Sequence, residues 1–169
     1  DDPKETAALF KQADAVRERY VGKEVHLRGI IEFSNYCAQN CLYCGLRRAN
    51  KSIKRYRMTC DEIYRTAQEA AGLGLKTVVL QSGEDGYYKI RELCGLVEKI
   101  KKLGLVVTLS IGERTHAEYR WLKGCGADRY LLRFETSDPR LYGYLRPGCE
   151  LKDRLRCIGW LKELGYEAG

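Results

Sequence analysis

Stretches with apolar residues at helical spacing alternate along this chain with short β-rich runs, and this beat constrains the fold more than any other feature. An amphipathic helix is predicted from Ala7 to Tyr20, with Leu9 or Phe10, Ala13, Val16 and Tyr20 on one face. After Gly22 a strand is predicted from Val25 to Ser34. Thr59 and Glu62 then form a capping box, followed by Ile63, Ala67 and Ala70 down one helical face, with Gly72 and Gly74 as the stop. Thr77 to Gln81 reads as the next strand, and Ile90, Leu93, Val97 and Ile100 as the next helix. Val106 to Ser110 follows as a strand, a helix lies around Tyr119 to Lys123, and Tyr130 to Glu135 reads as a fourth strand. Leu151, Leu155, Ile158 and Leu161 mark one more helix, closed by Gly165, and Tyr166 opens a fifth strand. Helix after strand after helix is the pattern of parallel βα units.

Two closed arrangements accommodate such a series, a doubly wound sheet and a barrel. Polar residues fall near the strand ends at alternating positions: Glu32 and Ser34, Gln81 and Gly83, Thr108 and Ser110, Arg133 and Glu135. Residues i and i+2 share a strand face, and polar groups collected at the C-terminal ends of strands suit the mouth of a barrel. The expectation is therefore an α/β, TIM-barrel-type core comprising about the first four βα units of a (β/α)8 barrel. Residues 1–24 are expected as an N-terminal helical segment and residues 25–169 as the core. The remaining strands of a closed barrel are not in this sequence, so the stretch is expected to be inactive by itself.

With 169 residues, 44% hydrophobic and 31% charged, the chain can bury a core and is not of disordered composition. No apolar run approaches the roughly 20 residues of a membrane span, and no signal-peptide pattern opens the sequence, so a cytoplasmic location is expected. Eight cysteines in a chain with its own core do not suggest a secreted disulfide scaffold; reduced thiols with one dense cluster point to metal. The net charge of +7 favours an anionic partner. Much of the excess lies in Arg47, Arg48, Lys51, Lys54, Arg55 and Arg57. Only Tyr56 interleaves with these cations, so no stacking platform for bases is visible and the plain reading is a solvated loop.

The dense cluster is Cys37-Ala-Gln-Asn-Cys41-Leu-Tyr-Cys44, which follows the first predicted strand without a break. Four thiolates would saturate a 4Fe–4S cluster, whereas three leave one iron open, a vacancy suited to a ligand that is also a reactant. A structural zinc site would need four closed ligands, commonly as two separated pairs. Cys60, Cys94, Cys125, Cys149 and Cys157 are scattered and read as small core residues, while His26 and His116 are isolated.

The spacing C-x3-C-x2-C at the end of the first strand of a βα series, with Tyr43 just before the last cysteine, resembles the radical S-adenosylmethionine superfamily. That resemblance implies a 4Fe–4S cluster on Cys37, Cys41 and Cys44 and S-adenosyl-L-methionine chelated at the open iron. One-electron cleavage of the cofactor would yield a 5′-deoxyadenosyl radical. It further implies that Ser82-Gly83-Glu84, at the second strand end, binds the methionyl amine, though the commoner pattern has glycine where Ser82 stands. Glu135 would meet the adenosyl portion, Arg154 the methionyl carboxylate, and Tyr43 the cofactor as well. Gln81, Thr108, Ser110 and Arg133 would line the cavity for a second, polar substrate. Without the resemblance, Ser-Gly-Glu-Asp is a turn, and Arg133 with Glu135 is a structural ion pair.

Five blocks sharpen the likeness: Ile30 to Asn35, Gly45-Leu46-Arg47-Arg48, Lys54 to Thr59, Leu80-Gln81-Ser82-Gly83-Glu84-Asp85, and Arg129 to Arg133 with Glu135-Thr136. Together they look like the N-terminal half of the HydE family of iron–iron hydrogenase maturases. Phe134 departs from the histidine of that pattern. The resemblance implies a small organometallic or amino-acid-derived substrate, an electron donor such as ferredoxin or flavodoxin, and other hydrogenase maturases as partners, with no membrane or nucleic acid. Methylornithine synthase and biotin synthase share the machinery and are the nearest alternatives. A non-catalytic zinc or nucleic-acid-binding module using the basic loop is the alternative of a different class.

Overall fold

A computed structural model describes residues 2–169. After helix α1 (Pro3–Val21), strands β1 (Gly29–Ser34), β2 (Thr77–Ser82), β3 (Val106–Ser110), β4 (Arg129–Tyr130) and β5 (Glu167–Ala168) form one sheet in the order β1-β2-β3-β4-β5. Every pairing is parallel. A doubly wound sheet reverses its strand order at a switch point. This one does not, so the arrangement is a segment of barrel wall.

Helices α2 (Cys60–Gly72), α3 (Ile90–Lys101), α4 (His116–Gly124) and α6 (Leu151–Glu163) supply the crossovers, and a short helix α5 (Pro139–Leu145) precedes α6. The helix starts are local in origin. Thr59 and Thr115 each cap the N–H three residues on, while Glu62 and Glu118 reach back to the cap's own N–H. Asp138 caps α5 with Pro139 in the first turn, an Asp-Pro start signal that the sequence reading passed over.

One face of the sheet is the core. Ile31, Phe33, Val78, Leu80, Val107 and Leu109 are buried beneath Ile63 and Ala67 of α2 and Leu93, Val97 and Ile100 of α3. Burying such side chains stabilises by about 1.5–3 kcal/mol each. Three tyrosines complete the packing. Tyr130 meets Tyr119 and Tyr166 edge to face at 5.1 and 5.8 Å. The hydroxyls of Tyr130 and Tyr166 donate to Gly112 O and Tyr119 O, and that of Tyr119 accepts from Arg114 N, so no buried phenol is left unpaired.

Four features depart from the sequence reading. The first strand begins at Gly29 rather than Val25, and Val25 and Leu27 are exposed. Helix α1 forms, yet none of its residues is buried; its apolar stripe meets no partner among the described residues. The fourth strand ends at Tyr130, and residues 131–135 run on as irregular chain that turns at Glu135, whose φ of 65° is left-handed. In α6 the buried face carries Leu151, Arg154, Cys157 and Leu161, whereas Leu155 is exposed. Arg154 therefore points inward, for a reason visible only at the site. Among the described residues, no helix is long and apolar enough to cross a membrane.

Candidate functional site

The loop after β1 is fastened by its backbone to the turn after β2, to the end of α5 and to itself. Ala38 N donates to Glu84 O at 2.9 Å, Leu42 N to Leu145 O at 2.9 Å, and Arg48 N to Gln39 O at 2.8 Å. From the far side the Arg55 guanidinium gathers the carbonyls of Leu46, Arg47 and Asn50 at 3.0, 2.9 and 3.2 Å, and that of Asn35 as well. A planar fork with five donors can hold a curled backbone in this way; an ammonium cannot.

Two glycines admit this packing. A Cβ at Gly83 would lie 2.2 Å from Tyr36 O and 2.7 Å from the Cβ of Cys37. A Cβ at Gly112, whose φ is +78°, would lie 2.0 Å from the Cγ of Glu84. Only glycine lets the cysteine loop, the β2 end and the β3 end approach so closely.

The result is a cavity of about 190 Å³ bordered by Cys37, Cys41 and Cys44 together with Glu84 and Arg154. Tyr43, Ser82, Gly83, Ser110, Arg133 and Glu135, all singled out from sequence, line it too. Arg133 and Glu135 face it without pairing with each other. Gln81 and Thr108 do not line it. Gln81 Nε2 bonds Glu32 in a neighbouring cavity, and Thr108 is buried with its hydroxyl unpartnered. Both lie deeper along their strands than the cysteine loop reaches.

Backbone donors address the sulfurs. Gln39 N and Glu84 N point at Cys37 Sγ at 3.4 and 3.3 Å, and Leu46 N at Cys44 Sγ at 3.4 Å. Burial pushes the Cys37 thiol up, while the two N–H groups pull it back toward the thiolate. Three thiols on one loop, two of them with N–H donors on the sulfur, are a donor set suited to a cluster, in which such bonds help set the potential. A cubane takes each thiolate on a different iron, so its three sulfurs have to border one cavity rather than meet at a single point, as Cys37, Cys41 and Cys44 do. The residues present therefore fit an iron–sulfur cluster.

Beside the sulfurs sits a buried charge network. Glu84 Oε2 accepts from Gln39 Nε2 at 2.7 Å, and its Oε1 accepts from Arg146 and Arg154 at 3.1 and 3.3 Å. The two arginines are almost fully buried. Behind them Glu113 takes Arg154 Nε at 2.9 Å and lies 3.7 Å from Arg146, and the Tyr142 hydroxyl accepts from both. Burial raises the Glu113 carboxyl, with the charge of Glu84 adding to it. Burial would lower Arg146, but Tyr142 and Glu84 outweigh it and raise the guanidinium above its ordinary value. Two cations against two carboxylates explain why Arg154 sits on the buried face of α6.

Gln39, Arg146, Glu113 and Tyr142 were not anticipated. Gln39 lies inside the cysteine motif, where its position alone could have flagged it. The other three sit on segments whose proximity is created only by the fold.

One residue on from Glu84, the buried Asp85 carboxylate accepts from Ser34 Oγ at 2.6 Å and from Arg57 Nε and Nη2 at 2.7 and 2.9 Å. The Arg57 guanidinium is sandwiched between the rings of Tyr36 and Tyr87, 3.7 and 4.6 Å from their centroids. This clasp joins the end of β1, the turn after β2 and the arm leading to α2.

A family profile described as the Radical SAM superfamily matches residues 31–168. The chain is 57% identical over 162 residues to the [FeFe] hydrogenase maturase subunit HydE of Thermotoga maritima, covering 96% of this chain and 47% of that protein. Its fold superposes on a crystal structure of methylornithine synthase (PylB) with a TM-score of 0.90 at 32% identity, covering 99% of this chain and 50% of the other. A structure of HydG, a maturase of the [FeFe]-hydrogenase, gives 0.88 at 26% identity, covering 100% and 39%. The chain thus spans about half the length of the relatives it matches.

Proposed function

The chain belongs to the radical SAM superfamily, and on that premise we propose that the protein is a cytoplasmic radical S-adenosylmethionine enzyme acting in maturation of the FeFe-hydrogenase active-site cluster. One observation carries the reading: Cys37, Cys41 and Cys44 border the same cavity as Glu84, whose own N–H is bonded to Cys37 Sγ. The 57% identity to a HydE maturase selects this member of the superfamily over the methylornithine synthase whose fold it shares.

In this reading Cys37, Cys41 and Cys44 would hold a 4Fe–4S cluster, with S-adenosyl-L-methionine bound beside it. Together, when bound, these groups supply a 5′-deoxyadenosyl radical by one-electron cleavage of the sulfonium. Glu84 offers a carboxylate to the methionyl ammonium, in a charge-assisted bond that is strong where water is scarce. Arg154, held at Nε by Glu113 and at Nη2 by Glu84, has Nη1 left for the methionyl carboxylate. Gly83 and Ser82 bring the backbone of the β2 end against the cofactor, and Tyr43 and Glu135 close the adenosyl side. Ser110 and Arg133 remain for a small organometallic or amino-acid-derived substrate; Gln81 and Thr108 stand outside the cavity and have no part in this reading. Other hydrogenase maturases would take the product, and a ferredoxin or flavodoxin would supply the electron.

Complementation tests the reading. The full-length gene should restore hydrogenase activity in a maturation strain lacking HydE. Failure to rescue, with a cluster that nonetheless responds spectrally to S-adenosylmethionine, would move the assignment to another branch such as methylornithine synthase. A colourless protein holding one zinc would overturn it altogether.

A further inference from the structure

The basic stretch between Arg47 and Arg57 is not uniformly solvated, and the way its cations divide suggests a use. Arg55 is spent on four backbone carbonyls and Arg57 on Asp85. Arg47 reaches back to Cys44 O at 3.1 Å. Arg48, Lys51 and Lys54 are exposed, and among the described residues none of them has an acidic partner within ion-pair distance.

Two of these free cations border a second opening at Cys37. Arg48 and Lys51 line a separate cavity of about 240 Å³ on the outer side of the loop, together with Tyr36 and Cys37. Cys37 thus borders two openings, the inner one that takes the reactants and an outer one rimmed by unpaired positive charge. An electron has to reach the cluster from a donor that does not occupy the inner cavity, and the outer opening leads to one of the cluster's own ligands.

Resting on the functional reading above, we propose that the outer face of the cysteine loop, centred on Arg48, Lys51 and Lys54, docks an acidic one-electron carrier protein that reduces the cluster by way of Cys37. Charge complementarity names the partner. Unpaired exposed cations repel one another at a cost that an acidic surface relieves, and such complementarity raises association rates steeply at low salt. On that face the Tyr36 ring is already stacked against Arg57 and only Tyr56 interleaves with the cations, which disfavours a nucleic-acid strand there. The step moves one electron from the reduced carrier to the oxidised cluster, with no bond made or broken.

The test uses full-length protein with its cluster assembled, the hydroquinone of a flavodoxin as the protein donor, and photoreduced 5-deazaflavin as a small donor without a docking surface. In the wild type, the second-order rate of reduction by flavodoxin should fall as ionic strength rises. The Arg48→Glu/Lys51→Glu double variant should slow that rate roughly tenfold or more at low salt and flatten its salt dependence. Reduction by deazaflavin should not change. Lys102→Glu, at the C-terminal end of α3 on the opposite end of the sheet, should leave both rates alone. An unchanged flavodoxin rate in the double variant would overturn the proposal with the functional reading intact. So would a double variant that lost affinity for duplex RNA while its flavodoxin rate held, which would assign the face to nucleic acid. A cluster that deazaflavin cannot reduce would overturn the functional reading itself, and this proposal with it.

Discussion

Glu84 donates its backbone N–H to Cys37 Sγ at 3.3 Å while its carboxylate lies among Gln39, Arg146 and Arg154. One residue thus joins the sulfur wall of the cavity to its charged wall. Replacing the side chain leaves the first link in place and removes the second. Glu84→Gln should therefore keep its iron and sulfide content and weaken S-adenosylmethionine binding about 10- to 100-fold, the loss of a charge-assisted hydrogen bond of roughly 1.5–3 kcal/mol. Spectral titration of the reduced cluster measures this. Unchanged affinity would remove Glu84 from the cofactor site.

The cysteines divide by position rather than by exposure. Cys37, Cys41 and Cys44 border the cavity, whereas Cys94 and Cys157 are buried in the core under α3 and α6. Alanine at any of the first three should abolish the 4Fe–4S chromophore after anaerobic reconstitution. Cys94→Ala and Cys157→Ala should keep it, at a modest cost in stability for the small void left behind. A full cluster in Cys41→Ala would sink the ligand assignment.

These contrasts show what the sequence made visible. Parallel βα order followed from periodicity, because α2 and α4 start at their own capping boxes and β1, β2 and β3 each bury an apolar pair. The cysteine loop followed from spacing, and Gly83-Glu84 from its place at a strand end. Arg146 and Glu113 were invisible because they matter through Glu84, which lies 62 and 29 residues from them in sequence, a separation that no local pattern encodes. The inward turn of Arg154 was hidden for the same reason: hydrophobic periodicity assigns a buried face to Leu155, and a pair of part-buried carboxylates overrules it. The exposed stripe of α1 shows the converse, a face correctly read as apolar whose partner is not among the described residues.

Gly83 tests the close approach itself. Its missing side chain leaves room for Tyr36 O, a backbone atom that cannot swing aside. Gly83→Ala should push the cysteine loop off the β2 end, costing roughly 1–3 kcal/mol as overpacking does. Cluster occupancy should fall with it, because the Glu84 N–H to Cys37 Sγ bond opens by the same movement. Gly86→Ala, where a Cβ would meet nothing within 4 Å, is the matched control. Equal cluster content in the two variants would show that the approach is not tight.

Asp85 carries the strongest prediction about stability and its pH dependence. Burial alone would raise its carboxyl, but the bonds from Arg57, Ser34 and the Tyr87 N–H outweigh it, and its pKa lies below the ordinary value. A carboxyl lowered on folding contributes stability that is fully present above the unfolded value, about pH 3.9, and is lost as pH falls through the folded value beneath it. Asp85→Asn removes that contribution and leaves Arg57 between two tyrosine rings without its counter-ion. The cost should be about 3 kcal/mol near neutral pH, the low end for a broken buried pair because the Arg57 side chain is about one-third exposed. Denaturant melts of iron-free protein should show this gap between wild type and variant constant from pH 7 to pH 5. Below about pH 4 the gap should close, as the wild-type carboxyl takes up its proton. A gap that stays constant into acid, or widens, would mean that the clasp between Arg57 and Asp85 does not hold the cysteine loop through charge.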